Sequence, residues 1–364
     1  MPQALTIKKI DGKPGQVYYP LQINQIPKPV PGPKELLIRI HAAALNHRDL
    51  FIRQALYPGI SFTSPLFADG TGSVVEAPSS PSLIGKRVLI TPSRGWGSTP
   101  DGPEDITRFS VIGGSVLYAG AGQDYVVVPE DEVELAPDHL TSHEAAALPL
   151  VGLTAWRALL TKGLNGDAAS AAGKNVLITG IGGGVALAAL QFGVALGCNV
   201  YVTSSSPAKL ESAKALGAAG GVSYKEAGWE KQLLAQLPAS RPYLDAVVDG
   251  AGGDIVSKTV KLVRPGGVIS VYGMTMGPKM DWTMQAVMKN IDLRGSTMGS
   301  RVEFRDMVAF VREHKIRPVV SRVVKGLDNI EAIDSLFDDM KNGKQFGKLV
   351  IEISSPGDEA EAKL

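Results

Sequence analysis

Apolar residues come in short blocks along the first 140 positions, at Leu36-Leu37-Ile38-Arg39-Ile40, Arg87-Val88-Leu89-Ile90 and Tyr125-Val126-Val127-Val128. Proline, glycine and serine separate them, the pattern of short strands between turns. Loops are predicted at 77–82 and 92–103, and the second is long enough to cover a site. Near residue 141 the pattern changes. Thr141-Ser142-His143-Glu144 reads as a capping box ahead of an alanine-rich helix. From Lys174 to Ser296 apolar blocks and helical patterns alternate, predicting strands at 175–179, 199–203, 244–248, 267–272 and 291–294, and helices at 184–196, 207–216, 226–237 and 253–262. That alternation predicts an α/β fold, a doubly wound parallel sheet wrapped by helices. Beyond residue 300 helix and strand mix again, ending in the strand Gly347-Lys348-Leu349-Val350-Ile351, and the polar residues 355–364 are expected to be a disordered tail.

A chain of 364 residues that is 44% hydrophobic suits two cored domains. The net charge of +1 excludes a basic nucleic-acid surface and an acidic disordered chain. Val176 to Leu196 is the most apolar stretch, but glycines interrupt it and a buried strand and helix account for it, so no membrane span is expected. The N-terminus has no basic region followed by an apolar run, and a cytoplasmic protein is expected. The only cysteine, Cys198, can form neither an internal disulfide nor a thiolate-rich zinc site.

The predicted strand Asn175-Val176-Leu177-Ile178-Thr179 runs into Gly180-Ile181-Gly182-Gly183-Gly184-Val185-Ala186 and then a helix. A dinucleotide fold needs this order: a tight turn, backbone close to the pyrophosphate, and a helix N-terminus facing its charge. Against G-x-G-x-x-G/A, Gly183 takes the middle place, Ala186 the last, and Ile181 stands where the first glycine belongs, so the strand–turn–helix context carries the reading. The next strand ends in Thr203-Ser204-Ser205-Ser206-Pro207-Ala208-Lys209, with no carboxylate to hold a ribose 2′-hydroxyl. Serine hydroxyls and the Lys209 ammonium suit a 2′-phosphate, which points to NADPH. The serines equally suit capping of a helix from Pro207 with Lys209 solvated, and the two roles are compatible.

Four segments carry a resemblance to a known family: Asn46-His47-Arg48-Asp49-Leu50-Phe51-Ile52-Arg53 with Leu56-Tyr57-Pro58; Asp69-Gly70-Thr71-Gly72-Ser73-Val74-Val75; Pro149-Leu150-Val151-Gly152-Leu153-Thr154-Ala155-Trp156; and the glycine turn with Ser204, Ser205, Lys209 and Tyr224. Together with the terminal Gly347-Lys348 strand, nearly the whole chain resembles the medium-chain dehydrogenase/reductase superfamily, most closely its zinc-free quinone oxidoreductase branch. Gly95-Trp96-Gly97 and the glycine turn also resemble fungal zinc-type alcohol dehydrogenase-like proteins. The resemblance implies a GroES-like β-rich substrate domain from residues 1–140, rejoined by 301–354, and a Rossmann NADPH-binding domain at 141–300. It implies cofactor contacts from Asn46, beside the nicotinamide, and from Thr154, Gly182, Gly183, Gly184, Val185, Ser204, Ser205, Gly250, Tyr272, Met298 and Lys348, with Lys209 and Tyr224 on the adenosine phosphate. It also implies a homodimer.

Where zinc members of the superfamily carry metal ligands, this chain aligns Asn46, Asp69 and Val151, the four-cysteine lobe is missing, and His47 with Asp49 has no third ligand nearby. No metal is therefore expected. Without a Lewis acid the suitable substrates already accept hydride: quinones, or alkenes conjugated to a carbonyl. Asn46 is a candidate hydrogen-bond donor to cofactor or substrate, or else a loop asparagine satisfied by backbone. Tyr57 is the candidate proton donor, or else packing at a Tyr-Pro turn, because Phe51 takes the place where the branch commonly has tyrosine. Two other activities fit the same residues: an enoyl reductase of fungal secondary metabolism, and an NADPH-binding protein with little turnover. Among the remaining residues, Arg53 is expected to pair with Asp49. Trp96 lines the substrate site or anchors its loop. His41, His139, His143 and His314 are surface or capping residues. Cys198 is buried. Met274, Met276, Met280 and Met284 form a dimer interface or a flexible wall.

Overall fold

The computed structural model describes residues 1–355 except Pro278, so the predicted tail lies almost wholly outside the described residues. The chain forms two compact units, Met1–Leu150 with Ser300 onward, and Val151–Gly299. Among the described residues no helix is long and apolar enough to cross a membrane.

The first unit is built on one sheet whose strands run, in spatial order, Val320–Lys325, Lys348–Glu352, Glu35–Ala44, Asp69–Glu76, Arg87–Ile90 and Val133–Leu135. Glu35–Ala44 is ten residues long, and its two halves serve different neighbours. Residues 42–44 pair with the final strand, while 35–39 pair with Tyr125–Pro129. The blocks read from the sequence at 36–40, 87–90 and 125–128 fall inside these strands. The alanines of the long strand leave room for the helix Ser142–Ala146, so Ala42, Ala44, Ala146, Ala147 and Val350 form one small apolar cluster. That helix has its capping box: Glu144 Oε2 accepts from the Thr141 amide at 2.8 Å and Thr141 Oγ1 from the Glu144 amide at 3.2 Å. Because it packs on this sheet, the unit boundary falls at 150/151.

Arg53 does not pair with Asp49. It reaches Asp334 at 2.5 Å and lies between the rings of Tyr18 and Phe337, joining the helix His47–Arg53 to the C-terminal helix Ile330–Lys341. Long-range packing overrode the nearer acid.

The second unit is a six-stranded sheet, all parallel, over Asn175–Ile178, Asn199–Ser204, Gly220–Ser223, Leu244–Asp249, Val263–Val271 and Asp292–Gly295. Numbered along the chain within this sheet, the strands lie in the order 3-2-1-4-5-6, the doubly wound arrangement of dinucleotide folds. The first and fourth strands are buried at every position, as expected of strands covered on both faces. The helix after the glycine turn is Gly184–Ala195 and the next is Pro207–Ala215. Two predicted helices are shorter than their patterns, Trp229–Leu234 and Ile255–Thr259. Gly228, Gly252 and Gly253 have positive φ ahead of them (73°, 74° and 64°), which delays each helix start.

Candidate active site

In the second unit the first strand ends at a turn that the bare motif describes imperfectly. Gly180 carries the left-handed φ of 66°, one residue before the position where the motif places its glycine. Ile181 is thereby free to bury its side chain, and its amide donates to Thr203 O at 2.8 Å. Gly182 has φ 120°, and a Cβ there would sit 2.8 Å from Lys209 Cδ and 3.2 Å from Lys209 Nζ. The lysine side chain therefore lies against the turn, with burial lowering the pKa of its ammonium. Gly183 is the N-cap of the twelve-residue helix that follows, so the N–H groups of Gly184 and Val185 belong to the open first turn.

The second strand delivers the other predicted residues to the same end of the sheet. Ser204 is buried and its Oγ accepts from the Ser206 amide at 3.2 Å, while Ser205 is exposed. Ser206 is the N-cap of the helix from Pro207. Ser204 pairs in register with Ser223, and the Tyr224 amide donates to Ser204 O at 3.1 Å, leaving the Tyr224 ring 48% exposed. The structure thus brings Gly182, Ser204, Ser205, Lys209 and Tyr224 to one region.

Asp249, at the end of the fourth strand, lies at this same end of the sheet, and no sequence motif marks it. It is fully buried, accepts from Thr179 Oγ1 at 2.5 Å and from the Gly252 amide at 2.7 Å, and burial raises its pKa. It ties the ends of the first and fourth strands together. The Tyr272 ring lies over Gly250, where a Cβ would meet the ring and hydroxyl at 2.5 Å. Burial and the Asp249 carboxylate push the Tyr272 phenol up. Thr154 Oγ1 and Met298 Sδ are 3.8 Å apart, and both side chains are buried. This end of the sheet thus combines glycines with no room for a side chain, a helix N-terminus with open N–H groups, and a lysine against the glycine turn.

The first unit holds a second predicted group. Asn46, Asp69 and Lys348 are 6%, 0% and 5% exposed. The Lys348 ammonium donates to Leu45 O at 2.6 Å, Asn46 Oδ1 at 2.7 Å and Asp69 Oδ2 at 2.7 Å. Asn46 Nδ2 donates to the same Asp69 oxygen at 2.9 Å, and the Leu150 amide donates to the other at 2.7 Å. Asp49 Oδ2 accepts from the Asn46 amide at 2.7 Å, and burial raises the Asp49 pKa to about 6. Burial and the Lys348 charge lower the pKa of His47. Tyr57 does not join the cluster; its ring carries the Arg48 guanidinium 4.7 Å from its centre. Sequence spacing could not join positions 46, 69 and 348. The available signal was an acid and a lysine each at the first position of a strand.

Other candidates resolve into structural roles. Trp96 is buried, edge-on to Phe109, and its indole donates to Thr99 O at 2.7 Å, so it anchors its loop. His41 is buried, not superficial. His139 contacts Ile316 O, His143 pairs with Glu352 at 2.8 Å, and His314 is a helix C-cap. Cys198 is buried, its thiol pushed up to about 11. Met274, Met276 and Met284 are exposed, whereas Met280 packs on the core.

Residues 32–138 match the model of the alcohol dehydrogenase GroES-like domain, and residues 184–313 match that of zinc-binding dehydrogenases. The zinc of that second description finds no fit here. Among the described residues no three His, Cys, Asp or Glu side chains converge to hold a metal ion, and Asp69 is already neutralised by an ammonium. A zinc-type alcohol dehydrogenase-like protein of Leptosphaeria maculans is 58% identical, covering 97% of this chain and all of that one. A quinone oxidoreductase of Pseudomonas aeruginosa is 30% identical over 68% of this chain and 67% of its own. The crystal structure of an NAD-dependent alcohol dehydrogenase superposes with a TM-score of 0.83 at 30% identity, covering 97% of this chain and all of that one. Sequence, sheet order and nucleotide turn agree: the chain belongs to the medium-chain dehydrogenase/reductase superfamily of oxidoreductases.

Proposed function

We propose that this oxidoreductase is zinc-independent, uses NADPH, and transfers hydride to a quinone or an α,β-unsaturated carbonyl. The observation that carries the coenzyme choice is the Lys209 side chain against Gly182, with no carboxylate between Thr203 and Lys209. The amides of Gly182–Val185 hold the pyrophosphate. Lys209, with Ser204, Ser205 and Tyr224 around it, takes the 2′-phosphate. Gly250, Tyr272, Thr154 and Met298 shape the path of the dinucleotide. Bound NADPH supplies the hydride. The protein's part is to orient the acceptor and to stabilise its developing negative oxygen with the Asn46 N–H, in a site that holds no Lewis acid. The Tyr57 hydroxyl or water returns the proton. The quinone oxidoreductase relative supports the substrate class. Phe51, without a hydroxyl, favours a second reading in which NADPH binds with little turnover. The homodimer is also our proposal, supported by the exposed apolar edge at Met284, Met288 and Leu293.

Lys209→Ala tests the coenzyme assignment. Loss of a charge-assisted contact is expected to weaken NADPH binding about tenfold or more while leaving NADH unchanged. Tighter binding of NADH than of NADPH by the unaltered protein would reject it. Turnover across small quinones, small enones and longer enoyl thioesters separates the proposed reaction from enoyl reduction in fungal secondary metabolism, and NADPH binding without oxidation of any of them supports the second reading.

A further inference from the structure

The three hydrogens of the Lys348 ammonium have three acceptors within 2.7 Å, all in the first unit, so none remains for a ligand. Its effect must pass through what it touches. We infer that Lys348 is a positioning residue that fixes the polarity of the Asn46 carboxamide, so that Asn46 offers a reacting oxygen a donor and not an acceptor. This rests on the proposed role of Asn46 beside the substrate.

The amide lies between opposite charges: a cation 2.7 Å from Oδ1 and a carboxylate oxygen 2.9 Å from Nδ2. Turning it over would set its N–H groups against the ammonium and its oxygen against the carboxylate. With all three side chains at least nine-tenths buried, water screens neither repulsion. Nor can the poles move aside. Asp69 is held through its second oxygen by the Leu150 amide, Lys348 by Leu45 O, and the Asn46 backbone by Asp49. One Nδ2 hydrogen is committed to Asp69, and the other is the only donor the group can still present. A cation on the carbonyl oxygen also makes that N–H a stronger donor. An oxygen gaining negative charge as hydride arrives needs such a donor.

The test uses the full-length protein labelled with nitrogen-15, the Asn46 side-chain amide being assigned by its loss in Asn46→Ser. In Lys348→Met, which keeps the aliphatic stem without the charge, exchange of the Asn46 side-chain hydrogens with solvent is expected to accelerate about tenfold or more. Unchanged exchange in the folded variant overturns the inference. Where Lys348→Met does not fold, Asp69→Asn removes the opposite pole, and the same acceleration is expected and the same constancy is fatal. This readout needs no turnover. With an accepted quinone or enone, Lys348→Met should lower kcat about tenfold at unchanged NADPH affinity. A variant that instead loses NADPH affinity and keeps kcat would make Lys348 a cofactor contact and reject the positioning role. The functional reading fails separately: Asn46→Ala with undiminished kcat removes Asn46 from the reaction, whatever Lys348 does to its amide.

Discussion

Asp49 is a buried acid with an incomplete set of partners. Oδ2 accepts from the Asn46 amide, but Oδ1 has no hydrogen bond, only Arg48 Nη1 at 3.5 Å. Burial therefore outweighs Arg48 and holds its pKa near 6, against 3.8 for the free side chain. A raised acid pKa means that the folded state binds the extra proton between those values, so this residue's contribution to stability falls as pH rises from about 4 to 6. Asp49→Asn keeps an oxygen for the Asn46 amide and removes the titration. Relative to the unaltered protein it is expected to gain stability above pH 6, by at most about 3 kcal/mol, and to gain nothing near pH 4. Denaturant melts at the two pH values decide it; a difference independent of pH would show that Asp49 ionises freely. At this scale the sequence revealed residue types but not partners. The spacing of Asp49 and Arg53 suggested a pair between them, which did not form. Which acid meets which base was settled by residues 279 and 281 positions apart, and no local pattern encodes that.

Secondary-structure elements were more legible. The strands of the parallel sheet came through because each is a short apolar block bounded by polar or glycine residues, and burial on both faces leaves no alternation to misread. The glycine turn was legible as a turn, although the conformational work falls to Gly180 and Gly182 and not to the motif's first position. The shortened helices were not, since a left-handed glycine at a helix start looks in the sequence like any other glycine. Gly250 shows a further limit: its need for hydrogen comes from a ring just past the end of the next strand. Gly250→Ala would drive a methyl into Tyr272, whose amide is fixed to Asp249 O at 2.9 Å. A cost of about 1–3 kcal/mol is expected, together with weaker NADPH binding, and thermal melting with coenzyme titration measures both. An unchanged melting temperature would mean that the ring swings away freely.

For the whole molecule, the alternation of strands and helices specified the α/β class, and right-handed crossovers then left few possible strand orders. The partnering of the last strand was invisible, because residues 42–44 and 350–352 carry no sign of one another. The outer strand Asp292–Gly295 has a hydrogen-bonded neighbour on one side only among the described strands. Leu293 on it and Val287 and Met288 before it are 43%, 49% and 75% exposed. If two copies join along this edge, Leu293→Lys places a charge there and is expected to yield monomers by sedimentation; a persistent dimer would put the contact elsewhere. The strand Lys348–Glu352 lies inside the sheet of the first unit, between Val320–Lys325 and Glu35–Ala44. A ribosome making this chain releases its middle before that strand exists. The Rossmann unit can therefore close while synthesis continues, whereas residues 35–76 must wait, with Asp69 lacking its counter-charge, until Lys348 has been added.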